Sequence, residues 1–181
     1  MRKLNNKGFT LVEVIAVVVL IAVLGMIAVP NILGTINKSK ESSYDILVED
    51  IVIASQQLFE EIEYNNSKIK KYDSGGKTNE DISINIDEDS QKYITVNLQT
   101  LVSNGLLAGS NNPDEGAGNK KIVVNPKDKK DIGECEIKIT KIVDSDYKTS
   151  YKILTDDGAN GGSCPTEADY NKAIGVEGNG E

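Results

Sequence analysis

Glu13 is the residue whose type and place ask for chemistry. It lies in the run FTLVEVIAVVVLIAVLGMIAV (9–29), where only Thr10, Glu13 and Gly25 are not apolar. A lone carboxylate in a membrane helix costs about 2.5–3.5 kcal/mol unless it finds a partner or a polar cavity. Charge alone leaves two solutions open. Cleavage between Gly8 and Phe9 would create an α-amino group one helical turn before Glu13, and that amine on a neighbouring copy would supply a countercharge. Alternatively, Glu13 snorkels to the interface near the helix start, where a negative charge also suits the helix dipole.

Other chemistry is thin. The chain has no histidine, which removes the usual general base, the commonest zinc ligand and the Ser/His and Cys/His nucleophile pairs. No glycine-rich phosphate loop appears, and the glycines of DDGANGGSC (156–164) follow no strand-to-helix spacing. Neither an enzyme nor a resident cofactor is expected. Asp144, Asp146, Asp156 and Asp157 form either an oxygen-rich calcium site or a solvated acidic surface, and no EF-hand spacing favours the first. Cys135 and Cys164 are the two cysteines. Outside the cytoplasm they either pair, adding about 3–4 kcal/mol by constraining the unfolded chain, or remain thiols. The sequons at Asn37 and Asn65 are chance-level patterns.

At 181 residues, 39% hydrophobic and 27% charged, the chain suits one modest domain plus an appendage. Net charge is -8, with Arg2, Lys3 and Lys7 before Phe9; from residue 31 onward 17 basic residues face 27 acidic ones, a net -10. That sign repels phosphate backbones, so no direct nucleic-acid binding is expected. The 21 residues from Phe9 to Val29 match the span of a bilayer. The basic leader puts the N-terminus in the cytoplasm and the rest outside, although Lys38 and Lys40 weaken the asymmetry. A secretory signal peptide competes but fits poorly: its best small-residue site, Val23-Leu24-Gly25, lies inside the apolar run.

Pro30 should kink or loosen the helix, with Gly25 and Gly34 adding pliability. Beyond it, SYDILVEDIVIASQQLFEEIE (43–63) has helical periodicity, with Tyr44, Leu47, Val48, Ile51, Val52, Ala54, Leu58, Phe59 and Ile62 on one face. A continuous helix over 9–64 would reach roughly 80 Å. Ile46 and Ile53 break the pattern on the polar side. They either touch a neighbouring subunit or are ordinary scattered apolar residues.

Residues 65–92 read as polar, with YDSGGKTNED (72–81) a loop and DISINID (81–87) a short strand. VNLQTLVSNGLLAGS (96–110) predicts a short helix capped by Asn97 and stopped by Gly105. KKIVVN (120–125), ECEIKITKIV (134–143) and YKTSYKILT (147–155) predict three strands of an antiparallel meander covering the helix stripe. The fold class is α+β. Residues 156–181 read as a polar surface tail.

The segment KGFTLVEVIAVVVLIAVL (7–24), with Gly8 before Phe9 and Glu13 beyond Thr10-Leu11-Val12, closely resembles the processing and assembly motif of type IV prepilins and pseudopilins. The resemblance is strong over about residues 2–34, architectural to about 65 and weak beyond, although LQTLVSNGLL (98–107) is similar to a segment of Gram-positive pilins. It implies cleavage between Gly8 and Phe9 by prepilin peptidase, N-methylation of Phe9, pairing of Glu13 with the Phe9 amine of an adjacent subunit, and a bend at Pro30. A Cys135–Cys164 bridge pinning the C-terminal region also fits the family. The implied layout is the type IV pilin fold: leader 1–8, transmembrane and filament-core helix 9–30, amphipathic helix 31–65, and a head over 66–181 with a small antiparallel sheet. The implied partners are other pilin copies, prepilin peptidase, an assembly ATPase, platform proteins and the membrane, with the head outside the cytoplasm and the filament on the bacterial surface. A pseudopilin of a secretion or DNA-uptake machine is the neighbouring reading, and a membrane-anchored extracellular binding domain the reading from another class.

Overall fold

The computed structural model describes residues 9–65, 69–73, 76–111, 121–143, 149–155 and 162–175, with the side chains at 27–31, 65, 73 and 76–79 outside that description. Two compact units are present, Met1–Lys40 and Glu41–Glu181. Helix α1, Leu11–Asn65, contributes to both.

In the first unit, α1 has no buried side chain between Leu11 and Met26; Gly25 is half-buried and the rest are exposed. The helix runs unbroken through Pro30, whose side chain lies outside that description. In the second unit the same helix becomes one-sided. Tyr44, Val48, Ile51, Val52, Leu58 and Phe59 are buried, Leu47 is half-buried, and Ile46 and Ile53 are exposed. Apolar residues recurring three and four apart make one continuous stripe, and that stripe needs a facing surface.

A sheet supplies it. After α1 come the hairpin strands β1 (Lys70–Asp73) and β2 (Gly76–Asp81), then β3 (Asn85–Ile86), β4 (Lys92–Asn97), helix α2 (Leu98–Ser103), β5 (Ser110–Asn111), β6 (Lys121–Ile122), β7 (Glu136–Val143), β8 (Thr149–Thr155) and helix α3 (Glu167–Ala173). The main sheet has the order β3-β4-β7-β8, antiparallel throughout. Ile94, Ile139 and Ile153 stand side by side across three strands, with Val96 beside Ile137. All five are at most 1% exposed, and each such side chain contributes about 1.5–3 kcal/mol of burial.

Several expectations are corrected here. The segment 72–81, read as a loop, holds parts of β1 and β2, and Ile82 N–H closes on Ile69 O at 2.8 Å beside that ladder. DISINID (81–87) yields only the two-residue β3. Strand β4 was not anticipated; the capping Asn97 is its last residue and turns the chain into α2. KKIVVN does not join the main sheet. Among its described residues, Lys121–Ile122 pairs with β5, and Val124 makes one antiparallel bridge to Asp131 across the turn closed by Lys129 N–H to Asn125 O at 2.8 Å.

Residues 162–175, expected to be part of a polar surface tail, are packed onto the head. Ser163, Cys164 and Tyr170 are buried, and α3 begins with a capping box in which Thr166 and Asp169 satisfy each other's backbone donors. A disulfide joins Cys135 to Cys164, 29 residues apart with Cα atoms at 5.8 Å. Ser163 Oγ donates to Asp128 Oδ2 at 2.6 Å, and Asn125 Nδ2 donates to Ser163 O at 2.8 Å. Helix α3 is held to α1 by Tyr44 Oη donating to Asp169 Oδ2 at 3.0 Å and by Lys172–Asp45 at 2.9 Å.

The far end of α1 is clamped to the sheet through Glu63, whose carboxylate meets Lys141 at 2.5 Å and Lys92 at 2.6 Å. Its side chain is 13% exposed and that of Lys141 is 10% exposed. Burial works to raise the Glu63 carboxyl, but hydrogen bonds and charge from the two lysines outweigh it and hold it below the ordinary range. A depressed carboxyl adds stability above its unfolded value, about 4.3, and loses it as pH falls through the folded value. Lys141, held above its ordinary value by Glu63 and Tyr64 against its burial, keeps its share until pH rises past about 10.4. The expected outcome is a heat-unfolding midpoint that falls below about pH 4, with a shallower fall in Glu63→Gln. Circular dichroism of the full chain in detergent reads it, and an identical acid slope in both proteins contradicts the clamp.

Candidate assembly site at the start of the long helix

Phe9 and Thr10 precede the first residue of α1, and Phe9 is 84% exposed. Gly8, on the other side of the expected cleavage point, lies outside the described residues. Thr10 is the N-cap and Glu13 the third helical residue. Glu13 N–H donates to Thr10 Oγ1 at 3.3 Å, and Thr10 N–H donates to a Glu13 carboxylate oxygen at 3.5 Å. This is the reciprocal capping geometry, long on one arm, in which a threonine and a glutamate three residues apart serve donors that the helix leaves unpaired.

The sequence reading missed this, although Thr-x-x-Glu ahead of an apolar run is its signature. The consequence is chemical. The cap places the Glu13 carboxylate back over the start of the helix, beside the backbone of Thr10 and one residue from Phe9. Both Thr10 and Glu13 are exposed, so the carboxylate keeps acceptor capacity for a second donor. Within the described residues no cation is paired with it.

The other residues named from sequence are dispersed. Cys135 and Cys164 are together in the head, bonded to each other. Pro30 lies where side chains are not described. Asp144, Asp146, Asp156 and Asp157 lie outside the described residues, and among the described residues no group of potential ligands is placed to hold a metal ion. Among the described residues no helix is long and apolar enough to cross a membrane. The Glu63 clamp and the Tyr44–Asp169 contact were also unforeseen, because they join residues 78 and 125 positions apart and leave no local pattern.

A family model described as the prokaryotic N-terminal methylation motif matches residues 3–29. That motif is the signature of type IV prepilins and pseudopilins, and it spans the Gly8–Phe9 junction, Thr10 and Glu13. It covers a small share of the chain, so it speaks for the N-terminal segment alone. Comparison with curated proteins and with solved structures returns no match.

Removing the cap should loosen the first turn without touching the head. Thr10→Val is expected to speed amide hydrogen exchange at Glu13 and Val14, the first bonded amides of the helix, about fivefold, in line with the roughly 1 kcal/mol that an N-cap contributes. Exchange measured in detergent micelles checks this, and unchanged rates there would show that the cap carries no stability.

Proposed function

We propose that the chain is a structural subunit of a type IV pilus. In this reading the leader 1–8 stays in the cytoplasm and prepilin peptidase cuts between Gly8 and Phe9 and N-methylates Phe9. The segment 9–30 holds the subunit in the membrane until it is lifted into an extracellular filament. The observation that carries the reading is the methylation motif over residues 3–29, with Gly8, Phe9 and Glu13 in the required order.

Two features of the structure support it. The described side chains of α1 from Leu11 to Leu24 are exposed on every side and almost wholly apolar, a surface that water does not favour and that lipid or sister helices would cover. The Glu13 carboxylate is turned back toward the helix start, where the Phe9 amine of an adjacent copy would meet it. Residues 31–65 then serve as the stem on which the head, 66–181, is built. The reading implies an assembly ATPase and membrane platform proteins that do mechanical work on this chain.

Glu13→Ala tests the charge pair. The variant is expected to be processed and to stay in the membrane fraction, while sheared filament yield falls at least tenfold. Filaments at the unmodified level would remove Glu13 from the assembly mechanism.

A further inference from the structure

The outward side of α1 in the head unit carries a feature that the motif does not use. Ile46 and Ile53 are 55% and 53% exposed. At about 100° per residue they lie about 200° and 180° round the helix from Tyr44, which is 4% exposed and faces the core. Glu49 and Asp50, both exposed, lie between them in sequence and on the same outward side. The patch is two branched apolar side chains framed by carboxylates.

A turn bearing three lysines, with the exposed Asp131 directly after it, sits on the Tyr44 side of the same head. The turn after Asn125 is built by Lys127 N–H donating to Asn125 Oδ1 at 2.9 Å and by Lys129 N–H donating to Asn125 O at 2.8 Å. It sets Lys127 Nζ 3.6 Å from the centre of the Tyr44 ring and leaves Lys127, Lys129 and Lys130 exposed. Asp128, the one acid within that turn, is engaged by Ser163 at 2.6 Å and is 3.9 Å from Lys130.

We infer that the outward face of α1 is an interface with a second copy of this chain, in which Glu49 and Asp50 of one copy meet the lysine turn of the next and Ile46 and Ile53 are covered. A two-fold dimer through the acidic patch would set Glu49 and Asp50 against their own images, a like-charge contact that disfavours it. Complementary patches on opposite sides of one subunit join head to tail, and such contacts repeat without closing unless the rotation happens to form a ring. The inference rests on the filament reading above and adds a contact between heads to it.

Charge reversal on the full chain in its own assembly system tests the contact. Glu49→Lys with Asp50→Lys, and separately Lys129→Asp with Lys130→Glu, should each lower sheared filament yield at least tenfold at an unchanged level of processed subunit in the membrane. Asp suits position 129, where φ is 65°, because short polar residues tolerate the left-handed region. All four changes combined should restore yield to within threefold of the unmodified chain. Single-side variants that assemble normally, or a combination no better than its parts, would overturn the inference and leave the pilus reading standing. An unmodified chain that forms no filaments would overturn both.

Discussion

Glu13 stands in the first turn of a helix whose described side chains up to Leu24 are otherwise apolar and exposed, and a carboxylate in such surroundings must be neutralised. The reciprocal cap with Thr10 is only a partial answer. It gives the carboxylate one backbone donor and offsets the exposed amides of the helix start, but it supplies no full countercharge. A cationic donor near Phe9 would complete it. The cap closes the first turn and leaves the Glu13 carboxylate exposed to a second donor.

The head is organised by a different property of the same helix. Over residues 44–62 α1 buries its apolar residues on one side only, and the isoleucine rows of β4, β7 and β8 lie against that side. Polar contacts then fix the helix at both ends of that interface. Glu63 is clamped by Lys92 and Lys141 at one end, and Tyr44 and Asp45 hold α3 at the other. The disulfide and the Ser163–Asp128 bond tie the approach to α3 back to the sheet.

How much of this was legible in the sequence follows from whether the signal was local. The stripe on α1 was readable because Tyr44, Val48, Ile51 and Leu58 recur at the period of the helix itself. Strands β7 and β8 were readable from their alternation, and the α2 cap from Asn97. Helix α3 was not: it is seven residues long, its capping box uses Asp169 where glutamate or glutamine is the usual signature, and its one buried side chain is Tyr170. The β1–β2 hairpin was missed because GKTNED has no apolar alternation and is joined to β1 by its backbone ladder. At the helix start, the methylation motif over residues 3–29 was legible from the type and spacing of Gly8, Phe9 and Glu13. The role of Thr10 as the cap that turns Glu13 toward Phe9 was not drawn.

The central claim is that a charge partner for Glu13 is created by cutting the chain at one peptide bond. Mass spectrometry of the N-terminal peptide of the protein recovered from cells tests it most directly. The account predicts a chain that begins at Phe9 and carries one extra methyl group on its amine. A chain that retains residues 1–8, or that begins inside the apolar run at a residue such as Met26, would contradict it.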